Sequence, residues 1–161
     1  MKTLLVLRHA KSSWDDPGLP DFDRPLARRG ERDAPRMGKA LARRGPLPEV
    51  ILSSPAVRAR QTLEAFVEAA GLEVEPKFDR SLYGAAADAL LEAIRRLPQA
   101  NSCALLVGHN PGLEELLSQL TATREEMPTA ALACIDFEVA AWKDVERGGG
   151  KLRWLLSPKH L

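Results

Sequence analysis

The stretch that decides the fold is Thr3-Leu4-Leu5-Val6-Leu7-Arg8-His9-Ala10. Its apolar part, Leu4 to Leu7, is unbroken, of strand length, and ends abruptly in two basic side chains. An unbroken apolar run, as opposed to an alternating one, predicts a strand covered on both faces, the habit of parallel sheets flanked by helices. Val50 to Leu52 and Ala104 to Val107 have the same character. Amphipathic segments separate them. Pro55 to Ala70 carries Val57, Leu63, Phe66, Val67 and Ala70 mostly three or four residues apart, with Ser54 as N-cap, Pro55 at the first helical position and Gly71 as the stop. Ala87 to Leu97 repeats the pattern and Pro98 ends it, while Asn110-Pro111-Gly112 opens a further helix over Leu113 to Leu120. Ala27 to Arg44 also reads as helical, with Pro35 marking a kink or a late start.

The last third changes period. Ala131 to Ala141 alternates in strand fashion, a turn-rich Glu146 to Gly150 follows, and Lys151 to Leu156 alternates again around Leu152, Trp154 and Leu156. The expected architecture is therefore α/β: a three-layer α/β/α arrangement with a mainly parallel sheet and an antiparallel hairpin at its C-terminal edge. With 161 residues and 17.7 kDa, one domain over 1–161 is expected, long enough to bury roughly 70% of its unfolded surface.

Charge narrows the function. Twenty-three Lys and Arg balance 22 Asp and Glu, a formal net charge of +1, so no global field draws the chain to nucleic acid or to an anionic membrane. Any anion must be held locally. Cys103 and Cys134 each lie in an apolar run and read as buried thiols of a reducing compartment. No apolar stretch is long enough for a membrane span and no leader precedes Thr3, so a cytoplasmic location is expected.

In an open α/β sheet ligands bind beyond the carboxyl ends of the strands. The first strand ends in Arg8-His9, the second runs into Ser53-Ser54-Pro55 with Arg58 in the next helical turn, and the strand at Ala104 to Val107 ends in Gly108-His109. Two of the three histidines thus stand at strand ends beside two arginines; His160 reads as a solvated residue. Each alone is an ordinary polar residue at a strand end. Together they make an anion site, because buried positive charges left uncompensated are costly and paired guanidinium donors fit phosphate. No carboxylate cluster accompanies them, so neither a metal nor another cofactor is expected. The loop Ala10 to Pro25, which directly follows the first strand, is long enough to be functional.

Leu7-Arg8-His9-Ala10 resembles the Arg-His-Gly signature of the histidine phosphatase, or phosphoglycerate mutase-like, superfamily. Ser53-Ser54-Pro55-x-x-Arg58-Ala59-x-Gln61-Thr62 and Gly108-His109-Asn110 resemble its second and third motifs. Lys11-Ser12-Ser13-Trp14, Asp23-Arg24-Pro25-Leu26 and Pro128-Thr129-Ala130-Ala131 are similar to the small bacterial SixA-type phosphohistidine phosphatases. The resemblance implies a phosphoglycerate mutase-like fold and phosphoryl transfer through a covalent phospho-His9. Arg8, Arg58 and His109 would bind the phosphate, His109 as a protonated donor.

Two positions depart from the wider family. Asp15 stands where the mutases carry Asn, and alignment on Tyr83-Gly84 puts Arg80 where larger members carry an acidic proton donor. Asp79, Asp15 and Asp16 are the alternative acids, each equally readable as a solvated turn residue. Lacking a dedicated acid and any room for a lid between Tyr83 and His109, the chain would suit phosphohistidine on a protein, such as a histidine phosphotransfer domain, acting as a monomer. A small-molecule phosphomonoesterase with the same core and a non-catalytic phosphate-binding module are the rival readings.

Overall fold

The structure is a computed structural model and describes residues 1–161. In chain order it contains β1 (Lys2–Arg8), α1 (Arg28–Arg44), β2 (Val50–Ser53), α2 (Val57–Ala70), β3 (Pro76–Phe78), α3 (Ala87–Arg95), β4 (Cys103–Gly108), α4 (Gly112–Thr121), β5 (Leu132–Phe137) and β6 (Gly150–Leu156). The six strands form one sheet in the order β3-β2-β4-β1-β5-β6. The first four in that order are mutually parallel, and β5 and β6 form the antiparallel edge. This is the expected α/β arrangement.

Because successive side chains of a strand point to opposite faces, β1 divides its residues between two cores. Leu4 and Val6 pack with Leu106, Leu90 and Leu117 on the side of α3 and α4. Leu5 and Leu7 pack with Leu105, Val107, Met37 and Phe66 on the side of α1 and α2. The two central strands are covered on both sides, which is why their sequences run apolar without alternation. Close packing of α1 on α2 needs Gly38, where a Cβ would lie 2.3 Å from the Phe66 carbonyl oxygen.

Several boundaries differ from the sequence expectation. Pro35 lies inside α1, which begins at Arg28. The second helix starts at Val57 with Ala56 at its N-cap, because the chain stays extended through Ala56; the Ser54 hydroxyl accepts from the Ala56 N–H and also meets His109. Gly71 ends it in the left-handed region, φ 70°, as expected. The third helix ends at Arg95, two residues before Leu97. The alternating run stops pairing at Phe137, after which Trp142–Asp144 form a short 3-10 turn that buries Trp142. The three-residue strand β3 was not expected at all. Both cysteines are buried and free, and burial pushes Cys103 up to about 12 and Cys134 up to about 11.

Candidate active site

Register builds the site. On β1 and β4 Arg8 lies opposite Gly108, and on β2 and β4 Ser53 lies opposite Val107. His9 and His109 therefore leave neighbouring parallel strands at one level, and Ser54 leaves the next strand one residue behind them. The backbone continues the match for one residue, since His9 N–H donates to the Gly108 carbonyl at 3.2 Å. The His9 and His109 ring centroids are 5.1 Å apart, and Tyr83 stands edge-on to His109 at 5.6 Å.

Hydrogen bonds then fix the ring nitrogens. His9 Nδ1 lies 2.8 Å from the Ala10 carbonyl oxygen. A carbonyl only accepts, so Nδ1 carries the hydrogen and Nε2 keeps a free lone pair. His109 uses Nε2 for the Ser54 hydroxyl at 2.7 Å, and its buried Nδ1 has no partner. Burial, together with the nearby arginines, lowers His9 to about 3 and His109 to about 4. At neutral pH both rings are then neutral, because desolvation and the charges of Arg58 and Arg8 oppose a proton on them; the protonated His109 expected above requires a bound anion to offset these effects.

Arg8 gives Nη1 to the Met127 carbonyl at 3.1 Å and leaves its buried Nε unpartnered. Arg58 is 7% exposed and is held by one residue, with Nη1 on the Asp21 carbonyl at 2.7 Å and Nη2 on the Asp21 carboxylate at 3.0 Å. The same carboxylate accepts from the Tyr83 hydroxyl at 2.6 Å and from Arg24 Nη1 at 2.9 Å. These donors hold Asp21 well below the ordinary carboxylate range. Arg24 in turn binds the Ser12 hydroxyl and the Ser13 carbonyl and stacks on Trp14, 3.3 Å from the ring centroid. The long loop after β1 is thus laced together by Arg24 and tied to Arg58 through Asp21.

The structure brings together the four residues singled out from sequence, His9, His109, Arg8 and Arg58. It does not bring the proposed acids to them. Asp79 accepts from the Ser81 N–H and hydroxyl and caps a turn, Asp16 accepts from the Gly18 N–H, and neither it nor Asp15 bonds a site residue. Arg80 stacks over Phe22. Sequence reasoning missed Asp21 and Tyr83 as partners of Arg58, and Ser54 as the partner of His109. It also missed Glu114, which accepts from the Met127 N–H at 2.7 Å beside Arg8. The one available signal for Asp21 was its place three residues before Arg24 in the Pro-flanked stretch Asp21-Phe22-Asp23-Arg24. No group of three or more His, Cys, Asp or Glu side chains is placed to hold a metal ion.

A family model described as histidine phosphatase superfamily, branch 1, matches residues 4–83, which include Arg8, His9 and Arg58. An uncharacterised protein of Mycobacterium tuberculosis is 37% identical, the match covering 88% of this chain and 93% of that one. The chain belongs to the histidine phosphatase superfamily. An uncharacterised chloroplast protein of Arabidopsis thaliana is 35% identical over 98% of this chain and 78% of its own length. Among solved structures, a candidate phosphohistidine phosphatase SixA from Agrobacterium tumefaciens superposes with a TM-score of 0.84 at 30% identity, covering 98% of both chains. A SixA protein histidine phosphatase bound to tungstate superposes equally well, TM-score 0.84, at 23% identity and with 98% and 97% covered; that likeness is one of fold. Within the superfamily the chain is of the SixA type, and its activity class is that of a phosphatase. No helix is long and apolar enough to cross a membrane.

Proposed function

We propose that this SixA-type histidine phosphatase hydrolyses phosphohistidine on a protein, in the cytoplasm, through a covalent phospho-His9 and without a metal ion. The observation that carries the reading is the pairing of a buried neutral His9, whose Nε2 lone pair is free, with the two unpartnered buried nitrogens Arg8 Nε and His109 Nδ1. Orphaned buried donors are costly unless a ligand satisfies them. A tetrahedral phosphoryl group would supply the missing acceptors.

The reaction divides into two displacements. His9 Nε2 attacks phosphorus in line, the P–N bond to the substrate imidazole breaks, and that ring departs with its bonding electron pair and the proton on its other nitrogen. Water then attacks the phospho-His9, releasing phosphate and returning the lone pair to Nε2. Arg8, Arg58 and His109 stabilise the equatorial oxygens, where charge spreads in the transition state. Dianion binding reverses the electrostatics at His109 and favours its protonated form. Ser54, bonded to its Nε2, orients the ring so that Nδ1 donates to the phosphoryl group.

Asp21 is held ionised, so it does not serve as a proton donor at neutral pH. The substrate whose leaving group needs least external protonation is the phosphoramidate of histidine. Rapid-quench incubation with a phosphohistidine peptide tests the reading: an acid-labile phosphoenzyme that forms and decays at the steady-state rate is expected. Turnover confined to sugar or serine phosphates would refute it in favour of a small-molecule phosphomonoesterase.

A further inference from the structure

Beside the site lies a cleft of about 440 Å³ between the first turns of α1 and the segment after β6, and its lining is polar apart from two prolines. Arg29, Arg32, Arg36 and Lys159 face it, against one carboxylate, Asp33. Asp33 is buried and already shared, with Arg32 at 3.3 Å and Arg36 at 3.0 Å. Arg36 also donates to the Pro158 carbonyl. Arg29 meets only the Thr129 hydroxyl, at 3.5 Å, and Lys159 makes no hydrogen bond or ion pair. In a chain whose charges nearly cancel, this is a local excess of four cations over one carboxylate.

Its position relates it to His9. The helix α1 follows β1 and runs back along the sheet, so its first turn stands at the edge where His9 leaves. The far wall of the cleft is Pro128 and Thr129. Met127, one residue before, accepts from Arg8 Nη1 and Asn110 Nδ2 through its carbonyl. Ala130, one residue after Thr129, donates its N–H to the His9 carbonyl at 3.0 Å. One four-residue segment therefore presents the active site through its ends and the basic cleft through its middle.

We propose that the cleft is a docking subsite for an acidic segment of the phosphohistidine-bearing protein, set beside the phosphorylated histidine. The inference rests on the phosphohistidine reading above. Clustered arginines recognise acidic motifs through charge-assisted, forked hydrogen bonds. Cations at the rim of an interface act chiefly on encounter and discrimination, and their effect is screened by salt over a Debye length of about 8 Å at physiological ionic strength. The cleft thus raises the affinity for acidic carriers and leaves the chemistry at His9 untouched.

The test compares three substrates: free phosphohistidine, a phosphohistidine peptide with a run of glutamates a few residues away on either side, and the same peptide with lysines. Wild type is expected to prefer the acidic peptide by about tenfold in kcat/KM at low salt, a preference that fades in high salt. The double variant R29E/K159E changes two exposed side chains outside the catalytic group. It is expected to reverse the peptide preference while leaving kcat/KM for free phosphohistidine unchanged. Hydrolysis of both peptides with a ratio unaltered by R29E/K159E overturns the docking subsite and leaves the phosphatase reading intact. Failure of wild type to hydrolyse any of the three overturns the phosphatase reading itself. An equal loss on all three substrates, with the circular dichroism spectrum unchanged, also overturns the docking role, because the cleft would then act on the chemistry.

Discussion

The Asp21 carboxylate holds Arg58 in place: Nη2 lies 3.0 Å from Oδ2, Nη1 lies 2.7 Å from the Asp21 carbonyl, and the Tyr83 hydroxyl closes on the same Oδ2 at 2.6 Å. A guanidinium anchored at two points has one orientation in which to meet phosphate, and misplacement of a catalytic group by about 1 Å can cost on the order of 10²-fold in rate. Asp21→Ala is therefore expected to lower kcat by roughly that factor in phosphohistidine turnover. Asp15→Asn, Asp16→Asn and Asp79→Asn leave it unchanged, because none bonds a site residue. Steady-state kinetics on the four variants decides it, and a large loss at Asp79 with Asp21→Ala active would reverse the assignment.

The residues around the phosphoryl site form a hierarchy. His9→Ala removes the nucleophile, and both turnover and the acid-labile phosphoenzyme are expected to vanish. Arg58→Ala and His109→Ala each remove one stabilising donor and are expected to cost about 10²–10³ in kcat. Ser54→Ala removes the 2.7 Å contact to His109 Nε2 and the acceptor of the Ala56 N–H at 3.3 Å, so a smaller loss is expected, accompanied by a shifted pH profile. Phosphoenzyme trapping alongside rates separates loss of the nucleophile from loss of its helpers.

The main frame of this fold is legible in its sequence for a physical reason: β1 and β4 are sealed on both faces, so Leu4 to Leu7 and Ala104 to Val107 had to be apolar throughout. Each of their terminal residues could then be located by the strand-end rule, which leads to His9 and His109. What stayed hidden depends on tertiary pairing. Strand β3 spans three residues, Pro76–Phe78, too few to show a period and only partly covered. Asp21 is one of four aspartates between Asp15 and Asp23, and nothing local distinguishes the one that meets Arg58. Ser54 has the chemistry and position of a helix cap and does accept from the Ala56 N–H, but its second contact, 2.7 Å to a histidine brought in by another strand, depends on tertiary structure.

Gly30 links helix packing to the loop that follows the nucleophile. A Cβ there would lie 2.3 Å from the Lys11 carbonyl oxygen, backbone that cannot swing aside as a side chain can. The same carbonyl accepts from the Ala27 N–H at 2.9 Å, so α1 and the residues after His9 would have to separate. Gly30→Ala is expected to destabilise the fold by about 1–3 kcal/mol and to lower kcat along with it. Urea denaturation at pH 7 measures the first effect, and an unchanged midpoint would mean that the loop yields freely.

Acid stability follows from the two histidines. Unfolded, each binds a proton near pH 6.5; folded, His9 refuses it until about pH 3 and His109 until about pH 4. The unfolded chain therefore holds more protons throughout that window, and stability falls as pH drops from about 6.5 toward 4. Asp21, with its pKa depressed by Tyr83 and Arg24, adds a loss of the same sign at lower pH, below the ordinary carboxylate range. Urea midpoints are expected to fall between pH 7 and pH 5 in the wild type, and to fall less in His109→Gln, which cannot titrate there. Saturating vanadate supplies an anion to the site, permits His109 to take its proton and is expected to flatten the slope. A midpoint independent of pH across that interval would show that both rings are protonated as readily in the fold as out of it.

The leaving group gives the most discriminating test. With Asp21 ionised, the Asp16 and Asp79 carboxylates turned to other partners, and Asp15 exposed without a bond to any site residue, no carboxylic acid is poised to protonate a departing oxygen. For phosphate esters, rate should then track leaving-group stability closely: nitrophenyl phosphates react, phenyl phosphate reacts slowly, and serine or sugar phosphates barely react. Phosphohistidine escapes the trend, because its imidazole can depart with a proton already on the second ring nitrogen. General acid catalysis contributes about 10²–10⁴-fold where present, so its absence is expected to open a gap of that order between alkyl phosphates and phosphohistidine. EDTA is expected to leave the whole series unchanged, since no three ligating side chains converge. A shallow dependence on leaving-group pKa, with alkyl phosphates turned over as fast as phosphohistidine, would mean that a proton donor reaches the site, and Tyr83, edge-on to His109 with its hydroxyl on Asp21, would be the first residue to replace by Phe.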